Sequence, residues 1–277
     1  MIYFNNLNLD FFPNAAVWIK IIGAGKTGIN ALSYIKDVDK DNSFVTLAVP
    51  DKNFIANSRA EILDFISGTN WLLVIADIED VEDLSIAECI GEIKSHCELI
   101  TSIILCPSAE DERLKNIPDN FGTWIILPKD KIAATGLTNN EIIYQIIDKI
   151  TCVQSMDILI GLDFADVVAT LKNGGRACIG FSKSVDAENN SLVAVKNALK
   201  SPLFIEDIGK AKKVLLAFVG NVEFLIMLEA NEAATFLDNE LPQSENIFDG
   251  VLFQVVRDDN SPDGVTAFVL ATNFEEI

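Results

Sequence analysis

Of the 277 residues in this chain only one is a histidine, His96. That scarcity excludes His-built metal sites and the Ser/His/Asp or Cys/His triads of nucleophilic catalysis. The five cysteines, Cys89, Cys97, Cys106, Cys152 and Cys178, are odd in number, unclustered and without a CxxC pair. They fit reduced thiols inside elements rather than a disulfide framework. Basic charge is also short, with 21 Lys and Arg against 41 Asp and Glu, a formal net charge of −20. Non-specific binding to DNA, RNA or anionic lipid relies on cations that neutralise phosphates, so those partners are excluded and a basic or uncharged protein surface is favoured. No run approaches the ~20 apolar residues of a membrane span. The N-terminal MIYFNNLNLDFFPN lacks the basic start and apolar core of a signal peptide, which places the protein in the cytoplasm as an expectation. Repeats, low-complexity tracts and linkers are absent as well.

What is present is a hydrophobic composition of 49%, in a chain long enough for one large or two medium domains with real cores. From Val17 the sequence reads as a strand (VWIKII), a turn (GAGKTG) and a helix in which Ile29, Leu32 and Ile35 recur at helical spacing. FVTLAV, WLLVIAD, LITSIILC and GTWIILP are further apolar runs, separated by helix-period segments such as ANSRAEILDFISG and LSIAECIGEIKSH. Such alternation predicts an α/β fold with a Rossmann-like parallel sheet covered on both faces. After Leu137, TNNEIIYQIIDKITCVQSMDILI reads as a central helix with Thr138, Asn139 or Asn140 as candidate caps. Beyond Gly175 the texture predicts a second α/β domain with a mixed sheet and helices on one face. The expected segments are 1–137, 138–168 and 169–277.

The most informative stretch is Gly161-Leu162-Asp163-Phe164-Ala165-Asp166-Val167-Val168. Two carboxylates spaced i, i+3 open an apolar helix, where unpaired amides and the helix dipole favour negative charge. Capping alone explains them. Together with its flanks, however, the block resembles the synergy loop NLDFADV of the tubulin/FtsZ family, whose two aspartates reach into the nucleotide site of the next subunit in a filament. The resemblance extends along nearly the whole chain. IILPKDKI is similar to the family's IVIPNDRL, ALKSPLFIEDIGKAKKVLLAFVGN to AISSPLLE…GAKGVLLNITGG, and LEANEAATFL with VTAFVLATNF to VNEAAEIV and the final strand.

By that resemblance, the segment from Ile22 to Leu32 corresponds to the phosphate loop IGVGGGGGNAV, with Gly23, Gly25 and Gly28 retained and Asn30 where the family holds the base. Glycines serve there because backbone N–H groups can approach phosphate oxygens at a helix start. Tyr144 stands where the family stacks a Phe on guanine, and Asp148 where a carboxylate pairs with the base edge. Their plain readings are a half-buried aromatic and a solvated helix charge. GxGxxG alone is a weak signal, and GKT is no Walker A motif because Lys20 occupies the first glycine position.

The departures concern phosphate binding. After LLVIAD, where the family carries GGGTGTG, this chain has Asp77-Ile78-Glu79-Asp80-Val81-Glu82-Asp83. Between PDKNFIA and NSRAEILDF roughly twenty family residues, including a second glycine-rich loop, are missing. Gly161 replaces an asparagine, and the sequence stops at Ile277, where FtsZ continues into a tail.

The resemblance therefore implies an FtsZ-like cytoskeletal or cell-division protein with impaired guanine-nucleotide binding, acting through contacts with FtsZ or with itself on the synergy-loop face. Two alternatives stand beside it. One is a polymerising GTPase in which GTP or GDP is held by Gly23, Gly25, Gly28, Asn30, Tyr144 and Asp148, and Asp163 and Asp166 are catalytic. The other is a Rossmann-type dinucleotide enzyme built on the same turn, with Asp51 as its ribose ligand. A last expectation concerns Lys26, which replaces a family glycine and is expected to face Asp77, Glu79 or Asp80.

Overall fold

The computed structural model describes residues 17–39, 44–91, 97–117, 121–151, 158–185, 188–221, 223–244, 246, 249–259 and 263–274. His96 and Cys152 lie outside them, and none of the described cysteines, Cys89, Cys97, Cys106 and Cys178, is in a disulfide. The chain divides into two units, Met1–Gln145 and Ile146–Ile277.

In the first unit the elements run β1 (Ile19–Ala24), α1 (Gly25–Val38), β2 (Val45–Val49), α2 (Lys52–Ile66), β3 (Trp71–Asp77), α3 (Val81–Gly91), β4 (Leu99–Cys106), β5 (Thr123–Pro128) and α4 (Lys129–Thr135). The boundary between the units falls inside α5 (Asn139–Thr151). The strands pair all-parallel in the order β2-β1-β3-β4-β5. Every residue of β3 and β4 is buried. Central strands covered on both faces have no solvent side on which polar residues could alternate, so they read as continuous apolar runs. Trp71 is fully buried and donates its indole N–H to Thr101 Oγ1 at 3.0 Å.

The element ends follow local chemistry. Asp51 caps α2 by accepting from Phe54 N–H at 2.7 Å. Gly136 closes α4 in the left-handed region, at φ 76°. Thr138 caps α5 in a reciprocal box: its N–H donates to Glu141 Oε2 at 2.7 Å and its hydroxyl accepts from Glu141 N–H at 3.3 Å. α2 consists of two helical segments that meet in a kink at the non-helical Ser58.

The second unit contains β6 (Ile158–Ile160), α6 (Phe164–Leu171), β7 (Gly175–Ser184), α7 (Asn190–Ala198), β8 (Lys213–Gly220), α8 (Met227–Glu240), β9 (Gly250–Arg257) and β10 (Val265–Thr272). Its sheet is mixed, in the order β7-β10-β8-β9-β6: β10 is antiparallel to β7 and β8, β8 is parallel to β9, and β6 is antiparallel to β9. Helices α7 and α8 share a core with this sheet, in which Ala194, Ala198, Ala233 and Leu237 meet Val214, Leu216, Phe218 and Val269. The small residues on the helix side allow close approach to the branched and aromatic strand residues. This is the α/β class expected from the sequence. Among the described residues, no helix is long and apolar enough to cross a membrane.

Candidate functional site

The turn between β1 and α1 lies at the C-terminal edge of a parallel sheet, where open α/β sheets place their ligands. Gly23 and Gly28 face each other across this turn. A Cβ on Gly23 would lie 2.5 Å from Gly28 O, and one on Gly28 would lie 2.4 Å from the Gly23 carbonyl carbon. Their role in this chain is to let the first turn of α1 lie against β1.

Gly25 answers a different need. Its φ is +58°, and a Cβ there would fall 1.5 Å from Asp83 Oδ1. No side chain caps α1 from its own N-cap residue, Ala24. The cap comes instead from Asp83, whose carboxylate accepts the N–H of Lys26, 57 positions away, at 3.0 Å and the Thr27 N–H at 3.2 Å. Free amides at a helix N-terminus form a general seat for anions. Here the chain's own carboxylate fills that seat, at 1% exposure. Burial raises the Asp83 pKa and the Asp80 charge adds to the rise, while the Thr27 and Lys26 amides restrain it.

The acidic run that contains Asp83 is distributed over neighbouring helix starts. Asp80 caps α3 by accepting from Glu82 N–H at 3.0 Å and Asp83 N–H at 3.4 Å. Glu82 accepts from Lys52 N–H, at the start of α2, at 3.1 Å. Three carboxylates therefore satisfy the amides of three helices, which offsets the mutual repulsion that the bare sequence implies.

Asp77, 5% exposed, ends β3 and accepts from Glu79 N–H at 3.0 Å and from the Thr27 hydroxyl at 3.3 Å. Its counter-ion is Lys129 of α4, whose ammonium lies 2.7 Å from Asp77 Oδ2 and 2.5 Å from Glu79 Oε2. Burial alone would lower the Lys129 pKa, but the hydrogen bonds and charges of Asp77 and Glu79 outweigh it and hold the pKa above its ordinary value. This corrects the expectation for Lys26. The Lys26 side chain is exposed and, among the described residues, makes no ion pair; only its backbone amide joins the cluster. The ammonium that neutralises the acidic loop belongs to a lysine at the end of β5, a position that the ligand-side rule for parallel sheets could have flagged.

Beside this cluster lies a cavity of about 310 Å³, lined by Thr27, Asn30, Asp77, Thr138, Asn139 and Asn140. Of the residues matched to the family's nucleotide site, Asn30 lines it, Gly23, Gly25 and Gly28 shape its neighbouring turn, and Tyr144 packs edge-to-face on Tyr34 with ring centroids 6.3 Å apart. Asp148 belongs to the second unit and pairs with Lys149 at 2.7 Å.

Asp163 and Asp166 open α6 as a full capping box. Asp163 N–H donates to Asp166 Oδ2 and Asp166 N–H to Asp163 Oδ1, both at 2.9 Å. Asp163 is exposed and Asp166 half-buried, so the cap leaves oxygen lone pairs for a further contact.

No family model matches the chain. Among curated proteins it is similar to the cell division protein FtsZ 1 of Thermococcus kodakarensis, 30% identical over 183 residues, covering 59% of this chain and 49% of that protein. It also resembles FtsZ 2 of Rhizobium meliloti, 27% identical over 255 residues, covering 82% of this chain and 71% of the other. The chain thus spans about half the length of the Thermococcus relative. In fold it matches an empty FtsZ dimer of M. jannaschii with a TM-score of 0.72 at 20% identity, over 95% of this chain and 90% of that one.

Proposed function

Because this chain belongs to the tubulin/FtsZ superfamily of cytoskeletal and cell-division proteins, we propose that it acts through filament-type protein contacts while its own nucleotide seat is closed by Asp83. A single observation carries the reading: the amides that open α1 already donate to the Asp83 carboxylate, at 3.0 and 3.2 Å. A phosphate arriving there must displace a buried anion and then lie against Asp77, Glu79 and Asp80. At an effective dielectric of about 20, a like-charge pair about 4 Å apart repels by ~4 kcal/mol. Lys129 offers little relief, since it is already held by Asp77 and Glu79.

The contact surface is the loop that bears Asp163 and Asp166. Those carboxylates have no nucleotide of their own to act on, so any chemistry they retain takes place in the site of a partner. The partner is a second copy of this chain or an FtsZ, in keeping with the dimer formed by the M. jannaschii relative. The two faces of a head-to-tail filament are different surfaces, so a subunit with one working face engages in one direction only. Such a subunit caps or tunes a filament in the cytoplasm, and needs neither GTP nor GDP of its own.

Sedimentation tests this. The chain is expected to co-pellet with filaments of an FtsZ relative assembled in GTP, or to change their mass, and to form no GTP-dependent polymer by itself. GTP-dependent polymerisation of the isolated chain would overturn the proposal in favour of an active GTPase.

A further inference from the structure

Of the asparagines in this chain only Asn173 is followed by a glycine. It stands in the turn that joins α6 to β7, with a positive φ of 56°. Asparagine tolerates that left-handed conformation better than most residues. The Asn173 side chain is exposed, and its carboxamide makes no hydrogen bond among the described residues. What surrounds it is held by other groups. Lys213 Nζ donates to Ala169 O at 2.7 Å, the Thr272 hydroxyl to Thr170 O at 3.1 Å, and Asn273 N–H to Gly174 O at 3.0 Å.

An asparagine that precedes glycine is open to cyclisation. The glycine backbone nitrogen gives up its proton to solvent and attacks the carboxamide carbon. A C–N bond forms, the Cγ–Nδ2 bond breaks, and the departing nitrogen takes up a proton and leaves as ammonia. Water then opens the succinimide at either carbonyl, which yields aspartate or isoaspartate. Glycine favours the step because it has no Cβ in the way and the widest backbone freedom. In the folded chain this nucleophile is restrained: Gly174 is buried, and its N–H donates to Leu171 O at 3.2 Å. Ring closure therefore needs the turn to open, a local event that does not require global unfolding. We infer that Asn173 is a modification site, converted without an enzyme to aspartate and isoaspartate at a rate set by opening of the α6–β7 turn. Either product places a carboxylate between Lys172 and Arg176. Isoaspartate also adds a methylene to the main chain, which shifts Gly174 away from Asn273. The helix that begins at Asp163 and Asp166 thus ends in the place where the protein ages.

Peptide mapping by mass spectrometry tests this on the full chain, kept at mildly alkaline pH with and without urea. In the folded chain conversion is expected at Asn173 ahead of every other asparagine, and at least about tenfold slower than at the same residue in urea. Asn173→Gly accepts the same φ without a carboxamide. It is expected to keep a urea midpoint near that of the fresh parent, before and after ageing, whereas the midpoint of the aged parent falls. Asn173 that stays intact in the folded chain while other asparagines convert, or after the urea sample has fully converted, overturns the inference. Equal rates with and without urea overturn the control by the turn.

Discussion

The carboxylate of Asp83 occupies the space that a side chain on Gly25 would need: a Cβ built there lies 1.5 Å from Asp83 Oδ1, on a backbone whose φ is +58°. The glycine and the aspartate form one device. The first supplies the left-handed turn and the empty volume, and the second fills that volume with the anion that the start of α1 requires. A phosphate loop keeps its glycines for a ligand; in this chain Gly25 keeps its bare backbone for a carboxylate of the same chain.

Gly25→Ala is therefore expected to destabilise the protein by about 2 kcal/mol or more, through backbone strain and displacement of Asp83. Urea denaturation reads this as a lower midpoint at an unchanged slope. A change below about 0.5 kcal/mol would mean that Asp83 moves aside at little cost.

The pH dependence of stability carries a second signature. The Asp83 pKa is raised, first by burial and then by Asp80. The fold therefore shifts Asp83 toward its protonated form relative to the unfolded chain. The resulting stability is complete below the unfolded carboxylate value, about 3.9, and is lost as pH rises through the raised folded value. Stability of the parent measured against Asp83→Asn at successive pH values should fall over that interval and then level off. A difference that is flat, or that rises with pH, would contradict the burial of a charged Asp83.

Lys129→Met leaves Asp77 buried without its ammonium, and a cost of about 1–3 kcal/mol is expected, below the figure for a fully buried pair because Lys129 is 29% exposed. Adding Asp77→Asn should recover part of that loss. A double-mutant cycle measures the coupling, and a value near zero would remove the pair from the account.

Asp163 has two separable jobs. Asp163→Ala should cost about 1 kcal/mol through loss of the α6 cap, whereas Asp163→Ser keeps a capping oxygen and should cost little. Both remove the charge. If the loop is the contact surface, both should weaken co-sedimentation with FtsZ filaments alike. Co-sedimentation that tracks stability alone would assign Asp163 to the cap and nothing more.

Much of this was legible in the sequence because it is local. The apolar runs became β1 to β5 and β7 to β10, Thr138 proved to be the cap of α5, and the i, i+3 spacing of Asp163 and Asp166 encodes a capping box within one turn. The Asp83 cap on α1 and the Lys129 ion pair were not legible, because their contacts are far apart in the chain: Asp83 meets Lys26 across 57 positions and Lys129 meets Glu79 across 50. The sequence pointed to Lys26 as the counter-ion because it sits inside the motif. The positive φ of Gly25 precedes a Lys26 whose amide reaches Asp83 while its side chain stays in solvent, which leaves the neutralising role to Lys129. Nor does composition show that Asp80, Glu82 and Asp83 each meet a different helix; a run of acids reads as repulsion until three N-termini converge on it.

Equilibrium binding of a fluorescent GTP to the parent chain and to Asp83→Ala, with folding of both verified by urea denaturation, addresses the closed seat most directly. The parent is expected to show no saturable binding up to about 100 μM, and Asp83→Ala to gain affinity by about tenfold or more as the Lys26 and Thr27 amides are freed. Micromolar binding by the parent, undisturbed by the substitution, would contradict the account.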